Sequence, residues 1–395
     1  MIPLALSGAR GYYFKLQIYI RPVNMKKVTL LIGLLLITII NSNTILAQGC
    51  VETSSDDGPQ IVGYIQPQFN SYLNGDKANG DPIKPSSFFF KRARVGIVGS
   101  IPYDVSYYVM AEFSPGLSGG SPYLLDAFVT YAPFGKYLKF SLGQYKSPFS
   151  LELNTPCFAL NTIRRSTVVN ELAAPFRDMG LMLLGSSDSL FGIPDLISYK
   201  VAILNGTGIN HIDDNSNKDI AARIVIAPWQ WLKIGGSYRT GFVGTKDINN
   251  EQKRRTRTAF DLTFEKWNFM LQGEYLMGQD IGEIAGGGGC GGKATATTLP
   301  TYDKDGFWVA AMYMTPWSLQ PIVKYETYNP DGTAYSYLGN TQTYDQNTIT
   351  FGLNYFLNDW TRIQVNYLYN SEGKTNGDFN EYDNDAFMIQ VQAKF

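Results

Sequence analysis

The sequence predicts an all-β chain, a transmembrane antiparallel β-barrel of about sixteen strands. Three observations carry that expectation. After residue 60, apolar and polar side chains alternate with a period of two. The alternating segments run to about ten residues, the length a tilted strand needs to cross a bilayer. Aromatic residues gather near segment ends, at Tyr137, Trp229, Trp231, Trp267, Trp317 and Trp360, where aromatic girdles meet the lipid interface. A soluble sandwich shares the alternation but turns its apolar face into a core. Segment length, recurrent aromatic ends and an export signal favour the barrel.

Composition agrees. Of 395 residues, 44% are hydrophobic, 14% aromatic and only 17% charged, too aromatic and too sparsely charged for a disordered chain. Three cysteines exclude a disulfide scaffold and argue against a Cys-rich zinc site. A single histidine, His211, leaves little room for His-based catalysis or a His-rich metal centre. The net charge of -1 carries no nucleic-acid signal. The expectation is therefore no enzyme, no cofactor and no metal.

Taken in order, the chain opens with residues 1–24, broken by Gly8, Gly11 and Pro22. They read as an extension ahead of the true start at Met25. Residues 25–47 have the basic start (Lys26, Lys27), apolar centre (Val28 to Ile40) and small-residue end (Ala47) of a secretory signal peptide, too short for a membrane helix. Cleavage is expected between Ala47 and Gln48. Cys50 follows, but Gln48 fits a lipidation signal badly. Removing residues 1–47 takes five of the 33 bases and no acid, leaving 28 bases against 34 acids.

Residues 48–395 form the expected barrel domain. Strands are predicted at 61–72, 87–99, 104–113, 122–132, 137–145, 178–187, 197–205, 219–227, 231–241, 257–265, 267–277, 306–315, 319–328, 346–356, 361–369 and 385–395. In one, Ile349, Phe351, Leu353 and Tyr355 alternate with Thr350, Gly352 and Asn354; in the last, Phe387, Ile389, Val391 and Phe395 alternate with Met388, Gln390, Gln392 and Lys394. Short connections such as 227–230, 265–266, 315–317 and 357–359 alternate with long polar loops. About sixteen strands leave a water-filled lumen rather than a packed interior.

Residues 146–177 carry Pro148, Pro156, Arg164, Arg165, Pro175 and Arg177 and do not read as strand. Such a loop either folds into the lumen or lies on the surface, and the residues leave both open. The run 213–219 alternates carboxylates and amides as calcium loops do, but lacks the sixth-position Gly and the terminal Glu, so it reads as a polar surface loop. Gly286 to Gly292, with Cys290, is a flexible loop without the context of a phosphate cradle. Cys157 and Cys290 are a possible pair.

In order along the chain stand Lys91-Arg92-Ala93-Arg94-Val95-Gly96, Asp126-Ala127-Phe128-Val129 and Leu142-Gly143-Gln144-Tyr145-Lys146-Ser147-Pro148-Phe149-Ser150-Leu151-Glu152. Arg165-Ser166, Phe176-Arg177-Asp178-Met179-Gly180, Asn205-Gly206-Thr207-Gly208 and Lys218-Asp219-Ile220-Ala221-Ala222-Arg223 follow. Asn366-Tyr367 and Gln390 to Phe395 close the series. With these landmarks the chain resembles the phosphate-selective porin O and P family of Gram-negative outer membranes. The resemblance implies a sixteen-stranded barrel with an inward-folded constriction loop, usually a homotrimer in outer-membrane lipid. It further implies a lumen of arginines and lysines that passes small anions or other small solutes.

The parity opposite to the apolar one faces the lumen. It carries Arg92, Arg94, Lys139, Lys200, Arg223, Lys233, Arg239, Arg257, Lys324, Arg362 and Lys394 against Asp104, Glu112, Asp126, Asp261, Glu265, Glu274 and Glu326. The surplus acid then falls in loops, at positions such as Asp213, Asp303, Asp305, Asp331, Asp378 and Asp385. Basic rings favour anions because a narrow pore screens charge weakly. Arg92 and Arg94 on a strand, and Arg164, Arg165 and Arg177 on the candidate constriction loop, are the leading pore residues, with Arg223, Arg239 and Lys139 behind them. Each could instead brace the wall, for instance Arg94 against Glu112 or Arg92 against Asp126. The alternative to a passive channel is a barrel serving as adhesin or structural anchor.

Overall fold

The computed structural model describes residues 58–73, 86–115, 121–244, 253–281, 301–330, 345–373 and 384–395. The extension at 1–24, the signal segment 25–47, Cys50, Cys290, the Gly286–Gly292 loop, Asp331 and Asp378 lie outside them.

Sixteen antiparallel strands close into one barrel. They are β1 (Gln60–Leu73), β2 (Ser87–Ile101), β3 (Val105–Glu112), β4 (Tyr123–Tyr131), β5 (Lys139–Lys146), β6 (Arg177–Ser186), β7 (Ile197–Leu204) and β8 (Asp219–Trp229). Then come β9 (Leu232–Val243), β10 (Lys253–Lys266), β11 (Phe269–Ile281), β12 (Thr301–Tyr313), β13 (Leu319–Asn329), β14 (Asp345–Phe356), β15 (Thr361–Gly373) and β16 (Asp385–Lys394). Each pairs with its sequence neighbours, and β16 pairs back onto β1, so the barrel has no free edge. All sixteen predicted strands are present. β10 and β12 begin earlier than expected, at Lys253 and Thr301. Asp303 and Asp305 therefore sit on β12 rather than in a loop, Asp385 is the first residue of β16, and Asp104 sits in the turn before β3. A short hairpin of Ser189–Leu190 and Ile193–Pro194 in the turn after β6 was not expected.

The period of two sorts side chains to opposite faces. Leu142, Phe260, Phe351 and Val391 face outward and are exposed, whereas Gln66, Gln144, Asn354 and Gln390 face inward and are buried. This is the apolar-out, polar-in order that a membrane barrel requires. The register of β1 against β2 shifts between Gln66 and Pro67, where proline has no N–H for the ladder.

The segment 147–176 lies inside the barrel. It holds α1 (Leu151–Asn154), a single 3₁₀ turn (Cys157–Ala159) and α2 (Thr167–Leu172). Phe149, Leu153, Val168, Val169 and Leu172 of the loop pack on Leu276, Trp308, Ala310, Met312 and Ile322 of the wall. The lumen parity of β11 to β13 is locally apolar, and burial of these faces draws the loop inward instead of over the surface.

Candidate pore site

Beyond that apolar patch, amides seat the loop. Gln320, Asn354, Gln364, Gln390 and Gln68 stand in register on β13, β14, β15, β16 and β1. Asn354 donates to Gln320 Oε1 at 2.9 Å, Gln364 to Asn354 Oδ1 at 3.0 Å, and Gln390 to Gln68 Oε1 at 2.7 Å. The same row donates to the loop: Asn354 to the Asn161 carbonyl at 3.0 Å and Gln364 to the Leu160 carbonyl at 3.3 Å. Asn366 Oδ1 accepts from Ile163 N at 2.8 Å. Loop carbonyls and N–H groups that would be orphaned inside the barrel are thus satisfied by the wall.

Charge inside the barrel is nearly balanced among the described residues: ten bases and nine acids are buried. Selectivity therefore depends on where they pair. Arg94 Nε meets Glu112 at 2.7 Å, as the sequence allowed for. Asp126 is taken by Arg177, with Nε and Nη2 each at 2.9 Å, and not by Arg92. Arg223 forks onto Asp261 at 2.6 and 2.9 Å. Asp219 receives Arg239 at 2.8 Å and Arg255 at 2.9 Å. A Cβ added at Gly241 would collide with the Asp219 carboxylate, so glycine is required beside this cluster. Arg257 pairs with Asp280 at 2.6 Å, and Lys324 with the loop's Glu152 at 2.8 Å.

Three buried bases remain without a carboxylate: Arg92, Arg165 and Arg362. Arg92 Nη1 donates to Gln66 Oε1 at 2.7 Å, Gln66 Nε2 to Gln392 Oε1 at 2.7 Å, and Arg362 Nη2 to the same Oε1 at 3.2 Å. A guanidinium thus stands at each end of a four-residue row across β2, β1, β16 and β15, held by neutral amides. Arg362 Nε has no hydrogen-bond partner. Arg165 lies on the loop beneath, donating to the Glu152 and Thr155 carbonyls at 3.1 Å each. Arg94 Nη1 and Arg165 Nη2 both reach Cys157 Sγ at 3.3 Å. Burial alone would raise the Cys157 thiol, but Arg165, Arg92, Arg94 and Lys146 hold it well below the ordinary thiol range.

The candidate residues thus divide. Arg92 has no carboxylate partner, Arg165 has none but lies against the Cys157 thiol, and Arg164 is exposed on the same loop. Arg94, Arg177, Arg223 and Arg239 are each neutralised by an acid. Lys139 opens β5 after one of the short turns and is half-buried. Arg362 faces the lumen as its parity required, but only its missing acid distinguishes it. Arg255 and Lys304, which pairs with Asp280 at 2.8 Å, escaped notice because β10 and β12 start earlier than the alternation suggests. The loop 213–219 is closed by Asp213 pairing with Lys218, and no cluster of metal-ligating side chains occurs among the described residues.

The family model described as phosphate-selective porin O and P matches residues 65–240, from β1 into β9. No curated protein sequence matches the chain. Among solved structures, the anion-selective porin from Comamonas acidovorans is 11% identical, with 86% of this chain and 99% of that one covered at a TM-score of 0.62. The outer membrane channel DcaP of Acinetobacter baumannii is 13% identical over 88% of this chain and 100% of that one, at 0.60. OmpT of Vibrio cholerae in its trimer form is 13% identical over 86% and 100%, at 0.55. Likeness at such identities is one of fold: an outer-membrane porin barrel. Residues 65–240 thus match the phosphate-selective porin O and P family model, in a chain whose fold is shared with outer-membrane porins.

Proposed function

We propose that this outer-membrane channel passes small anions, phosphate among them, past an acid-free positive zone built from Arg92, Arg362 and the loop's Arg164 and Arg165. One observation carries the reading. Seven of the ten buried bases among the described residues have a carboxylate partner; of the three that do not, Arg92 and Arg362 end one amide row that crosses β1 and β16, and Arg165 is on the loop. A paired arginine adds little net field, whereas an unpaired guanidinium in a weakly screened pore attracts anions and offers a planar fork to phosphate or carboxylate oxygens. The pore-lining roles of Arg94, Arg177, Arg223, Arg239 and Lys139 become secondary: they shape the wall.

The chain acts as a conduit and not as an enzyme, needs no cofactor, and reaches the outer membrane through the signal segment 25–47. Assembly as a homotrimer is supported by the family resemblance and by the trimer form of OmpT. Purified barrel in planar bilayers under a potassium chloride gradient tests the reading. A reversal potential on the chloride side, and single-channel current that phosphate blocks at low concentration, support it. A potassium-side potential defeats it.

A further inference from the structure

Among the described residues, Glu274 on β11 is the one buried acid of the lumen with no base as salt-bridge partner. Its carboxylate is fully used nonetheless. Oε1 accepts from Leu151 N at 2.7 Å, and Oε2 accepts from Ser150 Oγ at 3.0 Å, Glu152 N at 3.2 Å and Trp308 Nε1 at 3.2 Å. Three of these four donors belong to the loop; the fourth, from β12, fixes the carboxylate's direction. Ser150 has φ 69° and ψ 143°, a conformation rare for a residue with a side chain. Its N–H is tied to Ser237 Oγ at 3.3 Å and its Oγ accepts from Leu153 N at 3.2 Å. Such a backbone persists only where its surroundings over-determine it.

From that anchor a relay of contacts reaches the charged part of the loop. The Glu152 backbone held by Glu274 offers its carbonyl to Arg165 Nε at 3.1 Å. The Glu152 carboxylate takes Lys324 Nζ at 2.8 Å and Ser166 N at 2.7 Å. Thr167, which begins α2, donates its N–H to Glu326 at 3.0 Å. Arg165 then reaches Thr155 O and Cys157 Sγ.

We propose that Glu274 is a positioning residue of the channel: a wall carboxylate that latches residues 150–152 and through them sets Glu152 on Lys324 and Arg165 in the acid-free zone. The latch fixes both aperture and charge placement without lining the positive zone itself. This rests on the channel reading and is independent of the sign of its selectivity.

Two readouts test it, one of current and one of chemistry. With Cys50 and Cys290 replaced by Ser, Cys157 is the sole thiol, buried within the seated loop. Glu274→Ala should leave the barrel assembled, judged by its heat-dependent gel shift, yet raise open-channel current noise and speed N-ethylmaleimide labelling of Cys157 by about tenfold. Glu274→Gln retains one acceptor but turns an N–H2 toward donors, and should fall between. Trp308→Phe removes one N–H and keeps the bulk; it serves if Glu274→Ala fails to assemble, and should raise labelling by about threefold. Labelling and noise unchanged in all assembled variants overturn the proposal. A silent wild-type barrel whose labelling still rises would defeat the channel reading and leave the latch standing.

Discussion

Gly63 and Phe395 exchange both backbone hydrogen bonds: Gly63 N donates to Phe395 O at 2.9 Å and Phe395 N donates to Gly63 O at 3.0 Å. The Phe395 ring covers the space a Gly63 side chain would need, 2.7 Å from where its Cβ would stand. The last residue of the chain thus closes the seam between β16 and β1 and covers a glycine on the outward face. The ring itself stays half exposed on the outer face.

Closure at that seam predicts an assembly defect. Phe395→Ala leaves the backbone pair but uncovers the Gly63 niche, and should reduce the heat-modifiable form recovered from membranes. Gly63→Val places a branched side chain where the ring lies and should reduce it further. Loss of about 3–5 kcal/mol is the scale for truncating a buried aromatic, and about half is expected here because the ring is half exposed. Wild-type recovery of both variants would contradict this role of the seam.

Buried pairs and unpaired bases should respond differently to the same kind of substitution. Arg239→Ala leaves Asp178, 3.6 Å from Arg239 Nη2, without its base and leaves Asp219 with Arg255 alone. Breaking one partner of a buried pair costs about 3–5 kcal/mol. The temperature at which the folded gel form disappears should drop, with little change of reversal potential in whatever assembles. A large selectivity change without loss of heat stability would mean that Arg239 acts on permeant ions directly.

Glu152→Gln should move selectivity the other way. It removes the loop carboxylate from Lys324 while keeping the side-chain length, so a buried ammonium is left with Glu326 alone, 3.4 Å away. Anion preference should rise, most visibly at low salt, where the Debye length is about 30 Å at 0.01 M. Preference that falls or stays constant would place Lys324 outside the permeation path.

The Cys157 thiol supplies a pH test. An acid whose value is lowered is deprotonated further at any given pH, so its reactivity should climb less with pH through the neutral range. In the single-cysteine protein, alkylation should climb less steeply between about pH 6 and 8 than that of an ordinary thiol, which gains about tenfold per unit below its value near 8.5. A tenfold climb would show that Arg94 and Arg165 do not stabilise a thiolate.

The strands were legible because burial against lipid imposes one local rule, alternation, that each segment displays within its own ten residues. The loop was not, since its inward course depends on Leu276, Trp308, Met312 and Ile322 on other strands. Those apolar side chains on the lumen parity were a readable signal of a dock. Pairing was legible only within a hairpin: Arg94 and Glu112 are direct partners of β2 and β3. Arg177 reaches Asp126 across an intervening strand, and Lys324 reaches a loop residue 172 positions away. Local pattern contains neither relation. Unpaired status, the property that separates Arg92 and Arg362 from Arg223 and Arg239, is known only once every partner is placed.

The most direct measurement is the reversal potential of single channels in a tenfold salt gradient at low ionic strength, compared among three double variants, two of equal charge change and one neutral. Arg92→Gln with Arg362→Gln removes two guanidinium groups that no acid balances. Arg223→Gln with Asp261→Asn, as a neutral exchange of a bound pair, sets the background for wall changes that carry no net charge, and Arg177→Gln with Arg223→Gln supplies the matched loss of two paired bases. The first variant should lose most anion preference, the neutral exchange almost none, and the matched paired loss less than the first. Equal shifts from paired and unpaired losses, or no shift from Arg92 and Arg362, would contradict the acid-free zone as the seat of selectivity.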